Sequence, residues 1–364
     1  MTDRNIQKAG IAEKISSILS NHKFNITTYD RISAEPTIEI MREAVEFTRE
    51  GNYNLIIGLG GGSCLDTAKM MAAGATNPGD ISDYVYPSQK NFSETSLPMI
   101  MIPTTSGTGS EVTGAAVVIN KGYKSFAAGI NMTPQVAIVD PELVVTCPPR
   151  QTAACGMDAL AQVIEPLLSK ENNPLRDALA LHAISLISRS LREAYSNGEN
   201  VQARWDMATS TTLSGIVMTN SACGWPGHTF AEVFGPMYNI HHGAACALAL
   251  PYVTKFTLPA CAERTPIIAS ALGIKTRSNS PGEVAEQIVT TLVELARDLN
   301  VPLSLKDLGV PKAALAKISV DVNRRMNELT NTAKLNSRPI SNEDVENLLG
   351  YMWDGSWLPD PTVP

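Results

Sequence analysis

The stretch 54–69, NLIIGLGGGSCLDTAK, limits what this chain can fold into more than any other. Leu55, Ile56 and Ile57 form a short apolar run bounded by glycine, which reads as a buried strand end. Gly60, Gly61 and Gly62 then permit a tight turn and a close backbone approach, and from Cys64 the composition is helical, with Ser63 as the expected N-cap. Strand, glycine turn and helix start leave unused backbone N–H groups and a helix dipole pointing at one spot, an arrangement that favours an anion such as a phosphate. The same residues also suit a bare strand–helix turn, and the GxGxxG spacing of the usual Rossmann fingerprint is absent.

A second loop tilts the balance. In 97–113, LPMIMIPTTSGTGSEVT, residues 99–102 read as another buried strand that Pro103 ends. Thr104, Thr105, Ser106, Gly107, Thr108, Gly109 and Ser110 follow, a hydroxyl-rich loop that can wrap a sugar or a pyrophosphate, or simply be polar. Two such loops after two buried strands imply a nucleotide crevice at the carboxyl ends of an open α/β sheet.

The rest of the chain divides in two. Up to about residue 150, strand candidates at 25–29, 55–57, 99–102, 117–119 and 135–140 alternate with helical patterns at 11–19, 37–50 and 63–75, giving an α/β domain with a mostly parallel sheet. Beyond Thr146-Cys147-Pro148-Pro149-Arg150 helical periodicity dominates, with candidates at 152–168, 174–195, 201–219, 228–234, 243–257, 281–299, 311–326 and 342–353; Pro166 is expected to kink or end the first of these early. The expected organisation is therefore an α/β dinucleotide-binding domain over 1–150 and an all-helical domain over 151–364, with ligands taken in a crevice between them. The length of 364 residues suffices for two domains. A net charge of −7 without a basic cluster argues against nucleic-acid binding, and no apolar run is long enough to span a membrane. The polar start, Thr2 to Gln7, is no secretory signal, and six cysteines without a CxxC pair read as reduced thiols of a cytoplasmic protein.

A second constellation opens the helical part. Asp158 and Gln162 stand four apart in GMDALAQ, with Glu165 on the same stripe. His228 and Glu232 repeat that spacing, and His241 and His242 follow, so three of the five histidines lie between positions 228 and 242. Polar side chains on faces of apolar helices need partners; a metal, a substrate or internal hydrogen bonds would each serve.

Taken together, GGGSCLDTAK, PTTSGTGSEVT, Ala137-Ile138-Val139-Asp140-Pro141, GMDAL, YNIHHG and Asn336-Ser337-Arg338-Pro339-Ile340 resemble, in the same order, motifs of the iron-containing (group III) alcohol dehydrogenases. The resemblance covers almost the whole chain. It implies the dehydroquinate synthase-like fold of that family, an N-terminal nucleotide-binding α/β domain and a C-terminal helical domain with the site between, and assembly as a homodimer or larger homo-oligomer. It implies that Gly60, Gly61, Gly62 and Ser63 hold the cofactor pyrophosphate with Asp66 beside them, that Thr104, Thr105 and Ser106 line the cofactor path, and that Lys124 contacts it. Asp3 resembles the acidic residue that selects NAD over NADP, accepting from the ribose hydroxyls and repelling a 2′-phosphate. The chain opens where the family's first strand should already have passed, which implies a truncated start or a remodelled cofactor edge.

The family binds its divalent metal through one aspartate and three histidines. Asp158, His228 and His242 match three of these positions, whereas Gln162 stands at the first histidine position and Glu232 replaces a further histidine beside the nicotinamide. Three readings follow. A metal, Fe(II) first and zinc or Mn(II) next, binds Asp158, His228 and His242 with Gln162 or a water as fourth ligand; or reduction proceeds without metal, as in maleylacetate reductases; or nucleotide binding persists without catalysis. The implied activity is NAD(P)-dependent hydride transfer between an alcohol and an aldehyde or ketone. His228 or His242 would supply the acid if no metal does, and Glu232 would relay a proton, recognise a polar substrate or bond within its own domain. A lyase resembling dehydroquinate synthase shares the fold and NAD, but its site is usually richer in basic residues.

Overall fold

The computed structural model describes residues 1–32, 35–88, 90–120, 122–276 and 280–359. The chain forms two compact units, Met1–Cys147 and Pro148–Pro364.

The first unit begins with α1 (Arg4–Lys8) and α2 (Ile11–Asn21), followed by α3 (Ile38–Gly51). Strand β1 (Ile56–Gly60) runs into the glycine turn, α4 (Gly62–Thr76) crosses over, and β2 (Met99–Pro103) lies parallel to β1 with Ile56 opposite Met99 and Gly60 opposite Pro103. After the hairpin of β3 (Ala115–Asn120) and β4 (Tyr123–Ala128), the short β5 (Val136–Ala137) joins β2 in parallel, giving the sheet order β1-β2-β5. The sequence shows no β-branched run over β4; its antiparallel pairing with β3, Ala115 opposite Ala128 and Asn120 opposite Tyr123, makes it the returning half of a hairpin. Residues 25–29, expected as a strand, form no ladder. Strand propensity needs a partner edge, and among the described residues the one ladder-like bond there runs from the Thr2 N–H to the Tyr29 carbonyl. Met1 instead lies alongside β1, accepting from the Leu59 N–H and donating its ammonium to the Ile57 carbonyl.

Helix α4 is buried from Cys64 to Gly74, polar residues included. Burial of that kind demands partners. The Lys69 ammonium, fully enclosed, donates to the carbonyls of Ser110 and Ala115 and to the Thr113 hydroxyl, and stands 3.1 Å from Asp66 Oδ1. Asp66 in turn accepts from the Ser110 hydroxyl (2.6 Å) and the Val117 N–H (2.9 Å), so one helix face pins both the hydroxyl-rich loop and the hairpin.

The second unit is helical: α5 (Pro149–Leu167), α6 (Pro174–Ser196), α7 (Val201–Thr219), α8 (Pro226–Met237), α9 (His242–Thr257), α10 (Thr265–Ala271), α11 (Pro281–Asp298), α12 (Leu315–Arg324), α13 (Thr332–Leu335) and α14 (Asn342–Asp354). A π-turn, Arg325–Leu329, continues α12 where the periodicity suggested plain helix. Helix α5 is buried from Thr152 to Leu167 and packs against α6, α7, α8 and α9. Pro166 sits in its last turn, and the helix stops one residue later. A helix so enclosed would be expected to be apolar all round, yet it carries Asp158, Gln162 and Glu165 into the interior. Among the described residues, no helix is long and apolar enough to cross a membrane.

Two substitutions test this architecture. At Gly243, the second residue of α9, an added Cβ would stand 2.2 Å from the Ala154 carbonyl oxygen of α5, a backbone atom that cannot step aside. Gly243→Ala should therefore push α9 off α5 and cost about 1–3 kcal/mol in urea unfolding, whereas Gly282→Ala, with open space around it, should leave the midpoint unchanged or raise it. Asp66→Asn should destabilise the first unit by about 3–5 kcal/mol, because it leaves the Lys69 charge buried without its carboxylate. An unchanged unfolding transition with weakened nucleotide binding would instead make Asp66 a ligand group.

Candidate functional site

Three helices of the second unit bring one cluster together. Asp158 and Glu165 lie two turns apart on α5. Pro226 starts α8 with its fixed φ, placing His228 in the first turn. His242 is the first residue of α9, after His241 at the N-cap, whose Nε2 stands 3.2 Å from Gln151 Nε2. Donor atoms of Asp158, His228, His242 and Cys246 all lie within 4.8 Å of one another. His228 Nε2 is 3.5 Å, and His242 Nε2 3.8 Å, from Asp158 Oδ1.

Glu165 sets the orientation of His228. One carboxylate oxygen stands 2.7 Å from His228 Nδ1, and the other accepts from the Gly227 N–H at 2.9 Å. A carboxylate partner makes Nδ1 the donor, which turns Nε2 toward the cluster. Trp225 stacks edge-on against the same ring at a centroid distance of 5.4 Å.

The charges within the cluster are interdependent. Burial works against a charged His228, but Cys246, Glu165 and Asp158 outweigh it and hold the imidazole well above its usual pKa. Burial likewise opposes ionisation of Asp158, yet His242 and His228 keep its carboxyl below the usual range. Burial pushes the Cys246 thiol up to about 12.

Asp158 Oδ1 and His228 Nε2 are both buried and make no hydrogen bond among the described residues. Leaving such atoms unsatisfied costs about 1–3 kcal/mol each. An oxygen and a nitrogen donor, buried and aimed at one point beside a second imidazole and a thiol, fit a divalent metal.

Gln162 and Glu232, the two positions that depart from the family pattern, are engaged elsewhere. Gln162 Oε1 is 2.8 Å from the Ser214 hydroxyl of α7. Glu232, one turn beyond His228, accepts from Arg325 Nε and Nη2 at 2.6 and 2.5 Å. Sequence reasoning paired Asp158 with Gln162 and His228 with Glu232 but passed over Cys246. The signal was present, since His242 and Cys246 share the same four-residue spacing.

The first unit carries the glycine turn. Gly60 has φ +151°, open only to glycine, and an added Cβ there would collide with Cys64. The N-cap of α4 is Gly61 rather than Ser63, which falls inside the first turn because strand β1 runs on to Gly60 and the helix starts at once. Gly61 has no side chain to cap the first N–H groups. The hydroxyl-rich loop approaches the turn closely: the Thr104 N–H donates to the Gly60 carbonyl, and Cβ atoms at Gly61 and Gly62 would meet Thr105 and Thr108. The Thr104 and Ser106 hydroxyls are buried without a hydrogen-bond partner among the described residues. Asp3 lies at the same end of β1: its Oδ1 caps α1, and its Oδ2 accepts from the Cys64 thiol at 3.2 Å. Lys124, on β4, is buried with its ammonium 3.4 Å from Glu35, and both oxygens of Asp66 are committed to the hub described above.

Residues 1–141 match the family described as iron-containing alcohol dehydrogenase, and residues 152–353 match the C-terminal part of the Fe-containing alcohol dehydrogenase family. The chain is 38% identical over 322 residues to long-chain-alcohol dehydrogenase 1 of Geobacillus thermodenitrificans, covering 88% of this chain and 81% of that protein. It is 32% identical over 312 residues to the NAD-dependent methanol dehydrogenase of Bacillus methanolicus, covering 85% and 81% respectively. Its fold is similar to that of an alcohol dehydrogenase from Oenococcus oeni, with a TM-score of 0.90 at 31% identity over 97% of this chain and 91% of the other. With both units matched to one family, the chain belongs to the iron-containing alcohol dehydrogenases and is an oxidoreductase of the alcohol dehydrogenase class.

Proposed function

We propose that this protein interconverts a small alcohol and its aldehyde or ketone by hydride exchange with NAD, using a divalent metal held by Asp158, His228 and His242. The observation that carries the reading is the buried pair Asp158 Oδ1 and His228 Nε2, without a hydrogen-bond partner among the described residues and facing His242. A metal bound there supplies Lewis-acid polarisation of a carbonyl oxygen, and the nicotinamide supplies or takes the hydride. Glu165 holds the His228 ring by Nδ1 and keeps Nε2 available. Arg325 fixes the Glu232 carboxylate, which suits it to orient a polar substrate group more than to relay a proton.

Residues 1–150 are proposed as the dinucleotide-binding domain and 151–364 as the domain carrying the metal. The uncapped start of α4 and the free Thr104 and Ser106 hydroxyls support a pyrophosphate and sugar at Gly60, Gly61, Gly62 and Ser63, with Thr105 along the same path. Six cysteines without a CxxC pair suit the reducing cytoplasm, and the family resemblance suits a homodimer or larger homo-oligomer. The metal-independent and non-catalytic readings are not favoured, since the similar enzymes are alcohol dehydrogenases.

Protein purified anaerobically without chelator should carry about one divalent metal per subunit and oxidise NADH with short aldehydes. Stripping the metal should lower turnover by roughly a hundredfold or more, and restoring it should recover the rate. Undiminished turnover in stripped protein would overturn the metal assignment; NAD binding without turnover across an aldehyde and ketone screen would overturn the catalytic one. Asp3→Asn keeps a capping oxygen for α1 while removing the charge that would repel a 2′-phosphate. It should shift kcat/KM toward NADPH by about tenfold, or ~1.4 kcal/mol, and an unchanged NADH/NADPH ratio would remove Asp3 from cofactor selection.

A further inference from the structure

We propose that Cys246 is the fourth metal ligand, its thiolate completing an Asp158, His228, His242 and Cys246 set in place of a fourth nitrogen or oxygen donor. The inference deepens the metal-site reading above and rests on it. Cys246 follows His242 by one turn of α9, so both side chains leave the same helix face. Cys246 is fully buried, and its Sγ lies 3.6 Å from Nε2 and 4.0 Å from Nδ1 of the His242 ring, with His228 and Asp158 also within reach.

Spacing supports the assignment. Two ligands at about 2.0–2.3 Å from a tetrahedral ion stand roughly 3.3–3.8 Å apart. The separations of 3.5 Å (His228 Nε2 to Asp158 Oδ1), 3.6 Å (Cys246 Sγ to His242 Nε2) and 3.8 Å (His242 Nε2 to Asp158 Oδ1) are near that edge length. The four donors come from three helices packed on one another, and no donor pair exceeds 4.8 Å. Gln162, at the position where a histidine would be expected, is held by Ser214 and offers only a neutral amide.

Binding proceeds with loss of the thiol proton to solvent as the sulfur–metal bond forms, without any change of oxidation state. A thiolate beside two imidazoles and a carboxylate biases the site toward zinc and away from Fe(II), compared with an all-nitrogen-and-oxygen set.

The test is zinc K-edge X-ray absorption on the full-length protein loaded with one equivalent of Zn(II). One sulfur per zinc at about 2.3 Å, with the remaining ligands at about 2.0–2.1 Å, is the expected shell, and Cys246→Ser should lose the sulfur alone. A wild-type shell of nitrogen and oxygen only would overturn the Cys246 assignment while leaving the metal centre standing. A sulfur shell that survives in Cys246→Ser would also overturn it, by placing another cysteine at the ion. Zinc that fails to bind the wild-type protein would overturn both this inference and the metal-site reading. The wild-type spectrum decides the question even if the variant does not fold.

Discussion

The Glu165 carboxylate, sealed inside the helical unit, is the constraint on which the cluster depends. A carboxyl group in an apolar interior needs hydrogen-bond partners for both oxygens. Here the His228 ring takes one and the Gly227 N–H takes the other, so α5 is fastened to the first turn of α8, where the helix dipole also favours a negative charge. That fastening rotates His228 so that Nε2 faces Asp158. It also leaves little room at Gly227, where an added Cβ would stand 2.9 Å from Glu165. The close approach of α9 at Gly243 then brings His242 and Cys246 to the same point.

The first unit uses the same device with opposite charge. Lys69, enclosed on α4, gathers carbonyls from the loop and hairpin that follow β2, and Asp66 closes the arrangement through Ser110 and Val117. Neither residue is free to reach outward. Together they hold Ser110, Thr113 and Val117 against α4, while two buried hydroxyls earlier in the same loop, those of Thr104 and Ser106, have no hydrogen-bond partner among the described residues. In both units, a polar group buried at a fold-determining position arranges a second set of polar groups that the fold itself does not satisfy.

Much of this was legible in the chain. Apolar periodicity located most of the helices, and Val201–Thr219 agrees to the residue because Asn200 caps one end and Asn220 follows the other. The glycine turn was legible because only glycine accepts φ +151°. Residues 25–29 misled because strand formation depends on a neighbouring edge, and β4 was missed because its residues gain order only from pairing with β3. Ser63 was misjudged because caps depend on where the strand stops, and β1 runs on to Gly60, the first of the three glycines, so that α4 starts already at Gly62.

At the site, the order of the motifs resembled that of one enzyme family, and sequence spacing by itself determined that Asp158, Gln162 and Glu165 share a helix face and that His228 precedes Glu232 by one turn. Those are local relations, set by the pitch of a helix. Only the tertiary structure decided which of these side chains meet. It ties Gln162 to Ser214 and Glu232 to Arg325, and sets Cys246 beside His242, Asp158 and His228. Contacts across helices depend on crossing points and close approaches such as Gly243 against Ala154, which no periodicity within one helix records.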